Sequence, residues 1–368
     1  MKRAFVGTLE ALVRRPALDP RDVDFSRVKR VLVVRQHDMM GDFLLATPVL
    51  RALRRKFPSA RLGVLVRDEF AGILVNNPFV DEILVLQKTL NQWNPAKLLT
   101  LFSALVGKWD LAVVLNTVSH SLSSDILAGL SGSRIIVGSA ARRFQGCSRN
   151  FFYNLEAPEH AAPRHQTDRN LDIVRYIGAE TGDRSELMCL HESETRAATR
   201  DYPALGSDPA RPVIAMHIGA GKLKNRWPAE RFALLARRLR ESAGARIVLC
   251  WGPREGDLAA EFTRHADFEV VRVPPGGLRQ LAALLTLCDL LICNDTGIMH
   301  VAAAVGIPLV AVFGPTDPAE WKPVGSAFVA VRGADGTVGS VTVEDLHRVA
   351  RGVIREPRNA RSASQNAV

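Results

Sequence analysis

The feature that most constrains this chain is an alternation that occurs twice: short runs of β-branched and aliphatic residues, each followed by a helical pattern, from residue 31 onward. In the first half the runs are Val31 to Val34, Leu62 to Val66, Ile83 to Leu86, Leu111 to Leu115 and Ile135 to Val137. In the second they are Val213 to His217, Ile247 to Cys250, Glu269 to Val271, Leu290 to Cys293 and Leu309 to Phe313. Such alternation is the mark of βαβ units and a parallel sheet, and the near-continuous apolar character of the runs fits strands covered by helices on both faces. The expected fold class is α/β, with two doubly wound Rossmann-like domains. Sheets of this kind bind ligands at the carboxyl ends of their strands, so two of them facing one another create a cleft there.

A chain of 368 residues with 47% apolar content suits two domains. The organisation reads as a basic amphipathic extension (1–27), a first Rossmann-like domain (28–165), a connection (166–208), a second domain (209–342) and a terminal helix with a basic tail (343–368). No apolar run reaches the roughly 18 residues of a membrane span, and no signal-peptide pattern opens the chain, so a cytoplasmic protein is expected. The five cysteines form no C-x-x-C motif and sit mostly in apolar runs, as buried free thiols do.

The net charge is +10, but residues 1–30 supply +4 of it and residues 351–368 another +3, leaving +3 for the body. A nucleic-acid groove would put a basic stripe on the folded body, so no nucleic-acid partner is expected. Phe5, Val6, Leu9, Leu12 and Val13 form an apolar stripe at helical spacing, flanked by Lys2, Arg3, Arg14 and Arg15. A helix of this kind suits an anionic membrane surface, or packs against the first domain.

After the first strand run come Arg35-Gln36-His37-Asp38-Met39-Met40-Gly41-Asp42, with an amphipathic helix expected from Phe43 to Phe57. Asp42, next to a glycine expected to make a tight turn, is either a general base or a helix cap. Asp38 is the competing carboxylate and His37 the competing base. In the second half, Asp295-Thr296-Gly297-Ile298-Met299-His300 lead into a helix of small residues. A glycine there admits a ligand to backbone N–H groups and the helix dipole, which suits a diphosphate; the alternative is an Asp or Thr cap.

The segment His217 to Pro228 joins a strand run to a helix, and its Gly219, Lys222, Lys224 and Arg226 can surround a phosphate. It is neither a P-loop nor a complete dinucleotide fingerprint. Trp227-Pro228 also reads as a hydrophobic staple with a proline at the first helical position. Glu255, after another strand run, suits ribose hydroxyls or the first turn of a helix. Gly314-Pro315-Thr316-Asp317-Pro318 is a turn on the same side.

Together, Gly41-Asp42 with Thr47-Pro48 and Phe57-Pro58, Gly219 through Trp227-Pro228, Asp295-Thr296-Gly297 with His300, and Gly314-Pro315-Thr316 resemble glycosyltransferase family 9, the heptosyltransferases of lipopolysaccharide core assembly. The resemblance spans roughly residues 30 to 325 and implies a GT-B fold, an inverting reaction and ADP-heptose or a similar nucleotide sugar as donor. It implies no cofactor and no obligatory metal. Carried over, the catalytic aspartate is Asp42, and the diphosphate contacts are Thr296, Gly297, Ile298, Met299 and His300. The family's phosphate-binding lysine usually stands two residues before the tryptophan, where this chain has Asn225; Lys224 is the expected substitute, with Lys222 and Arg226 as alternatives. Glu255 is the implied nucleoside contact. Arg142, Arg143 and Arg149 suit a phosphorylated, lipid-linked core oligosaccharide as acceptor. The rival readings are a transferase with another nucleotide sugar or acceptor, a sugar-nucleotide epimerase, and a non-catalytic sugar-nucleotide binder.

Overall fold

The computed structural model describes residues 10–354 apart from 12, 37, 38, 93, 142, 145, 146, 161, 207 and 209. The chain forms two compact units, Met1–Arg184 and Ser185–Val368. The expected connection 166–208 is thereby divided. Its helix Gln166–Arg175 packs on the helix Thr47–Lys56 of the first unit, and its helix Glu192–Asp201 packs on Leu278–Leu285 of the second.

The first unit carries a six-stranded sheet of β1 (Arg30–Val34), β2 (Arg61–Arg67), β3 (Glu82–Leu86), β4 (Leu111–Val114), β5 (Ile135–Ser139) and β6 (Leu155–Ala157). Its order is β3-β2-β1-β4-β5-β6, with every pairing parallel. The second unit repeats the plan with β7 (Val213–His217), β8 (Arg246–Cys250), β9 (Val271–Val273), β10 (Leu290–Asn294), β11 (Leu309–Phe313) and β12 (Phe328–Arg332). Its order is β12-β11-β10-β7-β8-β9, again all parallel. The central strands β1, β4, β7, β10 and β11 bury nearly every side chain, as strands covered on both faces must.

Three expectations need correction. Two strands lie beyond the ten runs: β6, whose three residues are too few to stand out, and β12, whose Phe328-Val329-Ala330-Val331 is an apolar run at the sheet edge, only half-buried. The run Glu269–Val271 forms a strand two residues later, because β9 pairs Val271 with Val248 and Val273 with Cys250. The helix expected from Phe43 to Phe57 is two helices, Met40–Leu44 and Thr47–Lys56, the second starting with proline in its first turn.

The N-terminal stripe can be followed only from Val13, which packs against the first unit's core. Arg15 continues the contact by donating its backbone N–H to the Phe151 carbonyl at 2.9 Å and its guanidinium to the Ser133 carbonyl at 2.7 Å. Residues 1–9 and Leu12 lie outside the described residues. Among the described residues no helix is long and apolar enough to cross a membrane. Cys250, Cys288 and Cys293 are buried, while Cys147 and Cys189 are half-buried.

Candidate active site

In the second sheet the chain builds outward from β7 in one direction and from β10 in the other, so the loops after these neighbouring strands diverge. That is the switch point at which open α/β sheets form a ligand crevice. Asn294, the fully buried last residue of β10, pins the loop that follows β7. Its amide donates to the carbonyls of Ile218 (2.9 Å) and Gly219 (3.1 Å), while its Oδ1 accepts the Trp227 N–H at 2.9 Å. One side chain thus holds both ends of the loop carrying Lys222, Lys224, Asn225 and Arg226.

Trp227 anchors the far end. Its buried ring meets Phe232 edge-on at 4.9 Å, and its indole N–H donates to the Val341 carbonyl at 2.9 Å. With the helix starting at Ala229, these are the residue before the cap and the fourth helical residue, which is the expected staple. Pro228 is the N-cap rather than the first helical residue.

Two carboxylates face this loop. Glu255 accepts the Gly252 N–H at 2.7 Å and lies 3.9 Å from His217 Nε2 and 4.0 Å from Arg226 Nη2. It sits directly over Gly219, where a Cβ would come within 1.7 Å of Oε2; the glycine is there for the carboxylate. Glu255 occupies the N-cap position of Gly256–His265, yet its side chain does not cap that helix. Burial lowers the pKa of His217, against the opposing pull of the Glu255 charge, so the ring is held toward its neutral form.

Asp295 accepts from Asn225 Nδ2 at 2.9 Å. Burial raises its pKa; a hydrogen bond with Thr316 and the charges of His300 and Lys222 oppose the shift. Lys222 and Lys224 are exposed, and the short 3-10 helix Leu223–Asn225 holds Lys224. Arg226 donates to the Ala220 carbonyl at 2.8 Å.

Thr296 is the N-cap of the helix Gly297–Ala304 but makes no side-chain capping hydrogen bond. The Asp-or-Thr cap expected as the alternative is therefore absent: Asp295 is engaged with Asn225 and Thr316 instead. Ile298, Met299 and His300 are buried along the first turn, and His300 Nδ1 lies 2.9 Å from the Glu186 carboxylate. Burial raises the pKa of Glu186 despite that partner. In the turn after β11, Asp317 caps the helix Pro318–Trp321 by accepting the Ala319 N–H at 2.9 Å.

In the first unit Asp42 is the third residue of the helix Met40–Leu44, and its Oδ2 accepts the Met39 N–H at 3.0 Å. Gly41 lies inside that helix, so it makes no tight turn. His37, Asp38 and Arg142 lie outside the described residues. Arg149 donates to the Tyr153 carbonyl, and Arg143 lies 3.8 Å from Glu156. Both arginines are engaged with their own loop and strand.

Asn294 and His217 open the two segments read as ligand loops but carry no role of their own in that reading, and Glu186 is not singled out. A polar residue closing the apolar run Leu290 to Cys293 was the available signal for Asn294. Glu186 had none, since it lies 114 residues from His300 in the chain.

The family model for glycosyltransferase family 9 (heptosyltransferase) matches residues 99–345. Lipopolysaccharide heptosyltransferase 3 of Escherichia coli (strain K12) is 28% identical over 290 residues, covering 77% of this chain and 82% of that protein. Among solved structures, a family 9 glycosyltransferase from Veillonella parvula superposes with a TM-score of 0.80 at 22% identity, covering 93% of this chain and 99% of the other. The E. coli heptosyltransferase WaaC with ADP gives a TM-score of 0.69 at 21% identity, covering 88% and 99%. These likenesses place the fold in the GT-B class.

Proposed function

Because the chain belongs to glycosyltransferase family 9, we propose that it transfers a heptose from ADP-heptose to a sugar of the lipopolysaccharide core, with inversion at the anomeric carbon. The observation that carries this reading is the second unit's switch point: a loop of cations pinned by Asn294 beside a helix start whose N-cap residue, Thr296, makes no side-chain capping bond. Backbone N–H groups at such a helix start favour an anion. Relatives point the same way, since WaaC has been solved with ADP and with ADP-2-deoxy-2-fluoro heptose.

The reaction is one displacement. Asp42 takes the proton of an acceptor hydroxyl; the hydroxyl oxygen forms its bond to the anomeric carbon as the bond from that carbon to the diphosphate oxygen breaks; ADP leaves with the electron pair. Charge on the leaving diphosphate is met by the N–H groups at Gly297 and Ile298 and by Lys224, with Lys222 and Arg226 beside it, as fixed electrostatics in place of a metal. Glu255 serves the ribose. Arg143 and Arg149, with Arg142, serve a phosphorylated acceptor. The basic N-terminal segment serves an anionic membrane surface. Turnover is expected to be unchanged in EDTA.

A melting-temperature panel of ADP-, UDP-, GDP- and CMP-sugars tests the donor, since a ligand bound only by the folded state at about 100 times its Kd stabilises by about 2.7 kcal/mol. ADP-heptose is expected to raise the melting temperature most. An equal shift with a UDP- or GDP-sugar, or none with any ADP-sugar, refutes the donor assignment.

A further inference from the structure

The first unit has a switch point of its own, between β1 and β4, and the loops that leave these two strands carry a built polar site. Gln36, just after β1, places the two N–H groups of its Nε2 among the hydroxyls of Ser121 (3.2 Å), Ser123 (2.7 Å) and Ser124 (3.0 Å). This ties the segment leading to Asp42 to the start of the helix Leu122–Leu130. Directly before those serines stands His120, whose Nε2 is 2.7 Å from Oδ2 of Asp125.

Asp125 is fully buried and accepts from the Tyr153 hydroxyl at 2.6 Å and from Asn150 Nδ2 at 3.0 Å. Tyr153 is itself fixed, because its ring lies against Gly138, where a Cβ would come within 2.3 Å of it. The His120 ring is fixed a second way, edge-on to Phe144 at 4.3 Å, and Phe144 stacks on Phe151 at 4.6 Å. Asp125 acts as acceptor toward Tyr153 and Asn150, and it is the acceptor toward Nε2–H as well. With Nε2–H committed to Asp125, Nδ1 is the ring nitrogen left to serve as an acceptor.

That Nδ1 has no hydrogen-bond partner among the described residues, and the His120 side chain keeps 21% of its exposure. A buried carboxylate already served by a phenol and two amides, those of Asn150 and Asn116, gains little from a partly exposed ring. A ring clamped by a carboxylate and an aromatic edge, with one acceptor atom unused, is arranged for a donor from outside. Phe144 also belongs to the loop that carries Arg143 and Arg149.

We propose that His120 is an acceptor-binding residue whose Nδ1 accepts a hydrogen bond from a hydroxyl of the acceptor sugar, with Asp125 as its positioning residue. This rests on the transferase reading above. It adds a sugar-hydroxyl contact that the arginines, which are donors only, do not provide.

The test uses the full chain, ADP-heptose, and as acceptor the de-acylated lipopolysaccharide of a source strain lacking this chain. Acceptor KM, kcat and the Kd for ADP are measured for wild type, His120→Ala, His120→Asn and His120→Gln. His120→Ala is expected to raise acceptor KM about 3- to 10-fold, the loss of one hydrogen bond, with kcat and ADP affinity little changed. The two amides separate the roles, since Asn places an oxygen near Nδ1 whereas Gln reaches the Nε2 position next to Asp125. Rescue of KM by Asn and not by Gln supports acceptor binding. Rescue by Gln and not by Asn, an unchanged acceptor KM, or a fall confined to kcat overturns it. If the wild-type chain binds ADP but transfers nothing from ADP-heptose, the transferase reading itself fails, an outcome distinct from a failure at His120 alone.

Discussion

Asp42 carries a hydrogen bond that any account of its chemistry must keep: its carboxylate accepts the Met39 N–H at the start of a five-residue helix. Asp42→Asn keeps an oxygen for that N–H and removes the basicity. A positioned general base contributes about 10² to 10⁴ in rate, so turnover is expected to fall by that factor while melting temperature and ADP affinity hold. Near-normal turnover, or a loss that merely follows unfolding, would leave Asp42 as a capping residue. Lys224→Ala is expected to weaken ADP binding by about 1.5 to 3 kcal/mol, the worth of a hydrogen bond to a charged group, as read by calorimetry. If a folded Lys224→Ala protein binds ADP normally and Lys222→Ala does not, the role belongs to Lys222, whose charge already acts on Asp295. Asn225→Lys places an ammonium beside Asp295, 2.9 Å from the present amide, and is expected to tighten ADP binding.

At the scale of elements, the loop after β7 is held by a staple at one end and by a glycine under a carboxylate at the other. Trp227→Ala opens a cavity against Phe232 and removes the indole hydrogen bond to the Val341 carbonyl, which keeps only its bond from Arg231; it is expected to cost about 3 to 5 kcal/mol by denaturant unfolding. Gly219→Ala drives a methyl into the Glu255 carboxylate, which must give up its hydrogen bond with Gly252 or move the loop. The expected signature is non-additivity: Gly219→Ala lowers stability in the wild-type background and much less beside Glu255→Ala. Equal losses in both backgrounds would show that the glycine serves something other than the carboxylate.

For the whole molecule, His217 gives the pH dependence a sign. Burial lowers its folded pKa below the ordinary value near 6.5, so the unfolded chain takes up the proton first as pH falls. Unfolding then binds protons, and stability declines with acidification from about pH 6.5 down to the folded pKa, by up to about 1.4 kcal/mol per pH unit. His217→Gln, neutral throughout, is expected to flatten that limb of the stability profile; an unchanged slope would assign the decline to other groups.

The sequence by itself determined the class of fold and the order of its parts. Ten apolar runs with helical patterns between them leave few arrangements besides two parallel, doubly wound sheets, because strands this apolar need helices on both faces. The loops at Gly219, Asp295 and Gly297 were legible as candidate ligand loops for the same local reason: glycine and polar residues stood where a strand run ended. Tertiary structure alone decided which polar groups meet. Asn294 reaches across to Ile218 and Trp227, Glu186 to His300, and Asp125 to Tyr153, over separations that periodicity and spacing do not encode. Buried polar atoms must find partners, and which ones they find is set by the register of neighbouring strands and the loops those strands release.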